Sequence, residues 1–413
     1  MKRRILFQPL LWFALLCWAP PASSQAGPAT GVPHLWSLYQ DADYFALRAA
    51  LPPVSKEVAP EIVFLHAATL AAFAHIDSSA RLLDRLLARR GLDATLEGRA
   101  RELLMLDRRS LFLYRDALRA VAPLLQGANS ARHPSVANRA RLLRAIADVG
   151  PQTVSQGSHA ALASDPRGRI HVVIAHRPIQ AYPDTGANIS VLPLHIARML
   201  GIRIRPANYA VGSSAGGRVR ADVAVADISL SDGTRVQNAI FLVLPDKAVP
   251  VVLLGYPVLS ALGSIDYSRG AVAFGSPRPT ADNAPLALSG NDVLLEVQFA
   301  GQGILCRLDS GSSRSVFYAP FYRRFGSALS SSDRRPLRIG GATGTHKFPA
   351  REIDSLTIKI AGRSFRLAHA MVITETVRGV PNSALACNIG RDLLRSAGGY
   401  RIDFVNMTLS FGT

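Results

Sequence analysis

Two four-residue cassettes, Asp184-Thr185-Gly186-Ala187 and Asp309-Ser310-Gly311-Ser312, each close an apolar stretch and are each answered downstream by a glycine segment. One buried carboxylate is ordinary. Two related carboxylates on two related segments are what acid–base activation of water requires, one to take a proton and the other to give one. Asp184 and Asp309 are therefore the candidate catalytic residues. Gly186 and Gly311 let the backbone turn tightly enough for the two carboxyl groups to meet.

The repetition extends beyond the cassettes. Leu253-Leu254-Gly255-Tyr256-Pro257-Val258-Leu259, Ile265-Asp266-Tyr267 and Val272-Ala273-Phe274-Gly275 follow the first. Asn388-Ile389-Gly390-Arg391-Asp392-Leu393-Leu394, Ile402-Asp403-Phe404 and Leu409-Ser410-Phe411-Gly412 follow the second, in the same order. Such an order of parts marks a duplicated unit. These motifs resemble the aspartic proteases of the retropepsin/pepsin type.

The resemblance implies two retropepsin-like β-barrel lobes, 165–280 and 285–413, forming a pepsin-like bilobal unit. It implies dyad support from Thr185, Gly186, Ser310, Gly311 and Ser312, with the Thr185 and Ser310 hydroxyls bracing the loops across the dyad. Glycine-rich segments holding Gly212, Gly216 and Gly217, and Gly340 and Gly341, stand where the family has flaps that close over an extended peptide. Ordinary hairpin tips are the other reading of these segments. The implied activity is aspartic endopeptidase, a hydrolase acting on an extended peptide or protein without metal or cofactor. Tandem halves supply internally what retroviral enzymes obtain by dimerising, so a monomer is expected.

Convergence of the two carboxyl groups puts like charges together, so they share one proton. Ser312 offers a hydroxyl to Asp309, whereas Ala187 offers none to Asp184. Asp309 is therefore expected to be the ionised base and Asp184 the proton holder. Three residues depart from the family pattern: Pro183 lacks a backbone donor, Asn188 stands where a small hydroxyl residue is common, and Asn388 replaces an apolar residue. Two further readings stay open, a catalytically inactive peptide-binding module and an envelope scaffold acting through its helices.

Residues 1–24 carry Lys2, Arg3 and Arg4, then an apolar run to Trp18, then Ala22, Ser23 and Ser24. This is the pattern of a signal peptide, with cleavage after Ser24 or Ala26; a membrane anchor is the alternative. The chain is thus expected to be exported, periplasmic or secreted. Its formal net charge of +18 comes mostly from arginine, Lys2, Lys56, Lys247, Lys347 and Lys359 being the only lysines. The basic residues are scattered and form no tract with interleaved aromatics, so no nucleic-acid partner is expected. Cys306 and Cys387 sit at matching offsets before Asp309 and Gly390. A disulfide suits an oxidising compartment, and two buried free thiols are the alternative.

The fold class expected is multidomain, α plus all-β. From 30 to 155 apolar residues recur at helical spacing with arginines opposite, giving a tetratricopeptide-like hairpin array or a plain bundle, either able to meet a protein partner. From Arg169 the period changes to that of strands. His171, His176, His195, His346 and His369 lack metal-like spacing, so no metal site is expected. Asp266 and Asp403 are expected to hold strand ends, and Arg391 and Asp392 to pair with each other.

Overall fold

The helical periodicity of the N-terminal part becomes α1 (Val32–Gln40), α2 (Tyr44–Ala50), α3 (Pro60–Ala72), α4 (Ile76–Leu87), α5 (Ala94–Ser110), α6 (Tyr114–Val121), α7 (Asn129–Arg132) and α8 (Pro134–Ile146). The computed structural model describes residues 31–53, 58–127, 129–212, 217–275, 283–329, 334–341, 344–376 and 384–412. The expected leader over 1–24 and the flap position Gly216 lie outside these residues. Among the described residues no helix is long and apolar enough to cross a membrane.

Local chemistry explains the helix starts. Proline opens α1, α3 and α8, and the Asp43 and Asp93 carboxylates accept from first-turn amides of α2 and α5. Helices α1–α2, α3–α4 and α5–α6 form three pairs joined by one repeated corner. Ala42, Ala74 and Phe112 adopt φ of 54°, 62° and 60°. At each corner the next amide, of Asp43, His75 or Leu113, donates to the carbonyl of Leu38, Leu70 or Arg108. This left-handed helix ending is usually built on glycine. Here alanine and phenylalanine occupy it, so glycine and proline breaks in the sequence do not mark the corners.

Two β-barrel lobes follow. In the first, strands Arg235–Leu244, Ser190–Pro193, Val252–Leu254, Arg177–Pro183, Ile170–Ile174 and Arg218–Leu230 lie side by side, and the last pairs back onto the first. In the second, Arg363–Ile373, Val316–Phe317, Cys387–Ile389, Gln302–Leu308, Asp292–Phe299 and Ala350–Ile360 repeat that order and closure. In both, the strand leading into the aspartate runs parallel to the strand that ends at the glycine segment. The architecture is mixed α and β with a retropepsin-like fold in tandem.

The two Ile-Asp-aromatic motifs join the lobes. They pair antiparallel, Ile265 opposite Ile402, inside a sheet to which both halves contribute. Tyr267 and Tyr400 stack there at 4.5 Å. Asp266 accepts from buried Arg401, and Asp403 holds the turn at Val405 and Asn406. Cys306 and Cys387 are direct partners on neighbouring strands and are joined as a disulfide. The expected Arg391–Asp392 pair is not formed. Asp392 instead accepts from the Ser315 amide and hydroxyl, while Arg391 lies over the Tyr182 ring.

Helix α8 lies along the Ile204–Gly212 strand of the first lobe. Asn138 donates to the Ala210 carbonyl and accepts from its amide, completing a strand edge. Val136, Leu142 and Ile146 share one core with Ala207, Val223 and Leu242. On the other side Phe73 meets Ala287, and Ala42 meets Leu294 and Leu305, so the helices touch both lobes.

Candidate active site

Each cassette leaves its strand through the same backbone pattern. The Asp184 amide donates to the Leu254 carbonyl and the Asp309 amide to the Ile389 carbonyl, both at 2.9 Å. The Ser190 hydroxyl accepts from the Gly255 amide, as Ser315 does from Gly390. A side chain on Gly255 would strike the Ala187 carbonyl, and one on Gly390 the Arg314 carbonyl. The glycine segments therefore carry glycine because the aspartate loops pack directly on their backbone.

Thr185 and Ser310 lock the loops together. Thr185 donates its amide to Ser310 Oγ and its hydroxyl to the Leu308 carbonyl, both at 3.0 Å. Ser310 donates its amide to Thr185 Oγ1 at 2.9 Å and its hydroxyl to the Pro183 carbonyl at 3.1 Å. Pro183 thus serves the seam through its carbonyl. The carboxylates cross over: a Cβ on Gly186 would overlap the Asp309 carboxylate, and one on Gly311 the Asp184 carboxylate. The structure brings Asp184, Thr185, Gly186, Asp309, Ser310 and Gly311 to one symmetric seam.

The two carboxyl groups differ in surroundings. Asp184 is buried, Asp309 partly exposed. Asp184 accepts from the Gly186 amide at 2.8 Å. Asp309 accepts from the Ser312 amide at 2.9 Å and from Asn388 Nδ2 at 3.3 Å. Burial first, and then the neighbouring Asp309 charge, push the Asp184 carboxyl up to about 7. The expected Ser312 hydroxyl bond to Asp309 is not made, because that hydroxyl donates to the Arg314 carbonyl. Asn388, a departure from the family pattern, supplies the extra donor instead.

Arg307 is a residue that motif spacing does not single out. Its Nη2 donates to the Gly186 carbonyl at 2.5 Å, and its Nε faces Asp292 at 3.1 Å. Burial pulls the Arg307 pKa down, but the Asp292 and then the Asp309 carboxylates outweigh it and hold the value above the ordinary one. The available signal was a single charge in the apolar strand that ends at Asp309. Asn188 turns its carbonyl to Asn291 Nδ2 at 2.6 Å, tying the first loop to the start of the second lobe.

Gly212 pairs with Arg218 near the end of one hairpin, with Gly217 beside it at φ 78°. Gly340 and Gly341 pair with Thr345 and Gly344 at the end of another. The histidines stand apart from the seam: His195 pairs with Asp246 and His369 with Glu352. Among the described residues no cluster of metal-ligating side chains occurs.

Paired Asp-hydroxyl-Gly loops at the junction of two like barrels define an aspartic-protease type of scaffold. Residues 170–258 match the profile of the family described as aspartyl protease. Solved structures similar to part of the chain include EIAV protease complexed with the inhibitor HBY-793, 24% identical, covering 24% of this chain and 89% of that one, TM-score 0.20. A retropepsin-like aspartic protease from Rickettsia conorii is 17% identical, covering 30% and 92%, TM-score 0.23. The retroviral protease-like domain of Ddi1 from Leishmania major is 18% identical, covering 30% and 94%, TM-score 0.20. No curated protein matches the chain.

Proposed function

We propose that this chain is an exported, single-chain aspartic endopeptidase. The observation that carries the reading is the crossing of Asp184 and Asp309 over each other's glycine at a hydrogen-bonded seam. The family match over 170–258 supports it. A water held between the carboxyl groups gives a proton to Asp309 as its oxygen attacks the peptide carbonyl. Asp184 gives its proton to the carbonyl oxygen, forming a neutral tetrahedral diol. Collapse of the diol returns a proton to Asp184, and Asp309 passes its proton to the leaving amine. No covalent intermediate is required.

The substrate is an extended peptide or protein, with the two glycine-bearing hairpins as its covers. One chain supplies both carboxylates, so the working unit is a monomer. We read the helical part as limiting access to the cleft or meeting a protein partner. The leader pattern over 1–24 motivates export, and the Cys306–Cys387 bridge supports an oxidising compartment. Digestion of a peptide library between pH 3 and 8 tests the reading. Cuts that vanish with a statine-type inhibitor support it, whereas saturable peptide binding without any cut would make the chain a binding module.

A further inference from the structure

A partly enclosed cavity of about 50 Å³ lies where the helices meet the lobes, and neither Asp184 nor Asp309 is in its lining. Its helical wall comes from the end of α5, the α5–α6 corner and α8. The opposite wall comes from the first lobe, including Tyr256 and Ser260, with Asn291 of the second. Most of the lining is apolar or aromatic, Phe112, Leu142, Ile146 and Ile240 among it. Arg109 is the charged side chain in this lining.

Arg109 donates from Nη2 to Asn291 Oδ1 at 3.2 Å. Burial lowers its pKa from the ordinary arginine value, and among the described residues its electrostatic neighbours are Tyr209, Arg139 and Tyr114, none a carboxylate. Arg307 and Arg401, by contrast, have acids beside them: Arg307 faces Asp292, and Arg401 faces Asp266. A guanidinium in apolar surroundings without a counter-charge is costly, and an anion that brings its own apolar tail relieves that cost. At about 10–15 Å³ per water, the space takes roughly four waters or a chain of about four to six carbons.

We propose that this cavity binds a small monocarboxylate with an aliphatic tail, its carboxylate on Arg109 and its tail among Phe112, Leu142 and Ile240. Such a group comes either from a short free acid or from the apolar C-terminal residue of a peptide. The inference goes beyond the peptidase reading and does not depend on it. Asn291 also bonds the Asn188 carbonyl, so Arg109 itself stands two hydrogen bonds from the Asp184 loop.

The test is calorimetric titration of the full chain, carried as Asp184→Asn so that cleavage plays no part, with pentanoate, N-acetyl-leucine, pentanol and pentylamine. Saturable binding of pentanoate or N-acetyl-leucine, with neither pentanol nor pentylamine binding, is expected; whichever acid binds more tightly identifies the source. Arg109→Met should weaken binding at least tenfold. Ser260→Leu, which fills the cavity from the far wall and keeps the cation, should weaken it similarly and decides the matter if Arg109→Met fails to fold. The proposal is overturned if neither acid binds, if pentanol or pentylamine binds as well as the acids, or if a folded variant of either kind binds them as tightly as the parent.

Discussion

Thr185 and Ser310 exchange hydrogen bonds across the lobe junction: each amide donates to the other's hydroxyl oxygen, and each hydroxyl reaches back to a carbonyl of the opposite strand. Both residues are fully buried. Two loops that differ in sequence are thereby held as partners about an approximate twofold, and the aspartates just before them are carried into register.

Ser310→Ala leaves the buried Thr185 amide without its acceptor. The cost should be about 1–3 kcal/mol, read as a fall in denaturation midpoint. Because the seam sets the spacing of the carboxyl groups, kcat should fall as well. Ser310→Thr, which keeps the hydroxyl, should restore most of both.

The pH dependence follows from the Asp184 proton. Its carboxyl is pushed up to about 7 by burial and then by Asp309. The proton is therefore held below about pH 7 and lost above it. Log kcat/KM should bend downward near pH 7 and then fall tenfold per pH unit. As the two acids titrate together, the bend belongs to the pair. Asn388→Leu removes a donor to the Asp309 carboxylate and should lower kcat/KM across the profile.

Asp107 on α5 offers a separate test of burial. It is buried among helices, one carboxyl oxygen has no partner among the described residues, and desolvation raises its pKa to about 7. A carboxyl raised on folding contributes its stability fully below about pH 4 and loses it as pH rises to about 7. Asp107→Asn should therefore stabilise the chain at pH 7.5 by about 2–4 kcal/mol relative to its effect at pH 4. The difference between parent and variant melting curves across pH checks this.

The Cys306–Cys387 bridge spans 81 residues. Its loss should cost roughly 4 kcal/mol in the chain-entropy model. Alkylation without reductant should leave both cysteines unmodified in the folded protein, and reductant should lower the unfolding midpoint.

How much of this was legible in the sequence depended on whether a residue acts through its type or through its neighbours. Asp184 and Asp309 stood out because their cassettes recur with the same downstream glycine and Ile-Asp-aromatic segments. Cys306 and Cys387 could be compared because equal offsets on the two strands make them register partners. Arg307 was hidden because a lone arginine in an apolar strand says nothing of which loop it will meet across the seam. Asn388 read as a defect in an apolar segment, yet its amide faces Asp309. The helix corners at Ala42, Ala74 and Phe112 carry no glycine, so only the backbone reveals them. Asp392 sits beside Arg391 in sequence, but one points to Ser315 and the other to Tyr182.

We propose that both carboxyl groups act on one water. This is tested most directly by kcat/KM for a single cleaved peptide, measured for the parent, Asp184→Asn and Asp309→Asn, with circular dichroism confirming the fold of each. Cleavage by the parent and a loss of at least about 10³-fold in either variant are expected. Cleavage that survives within tenfold in a folded Asp184→Asn or Asp309→Asn protein would contradict the proposal.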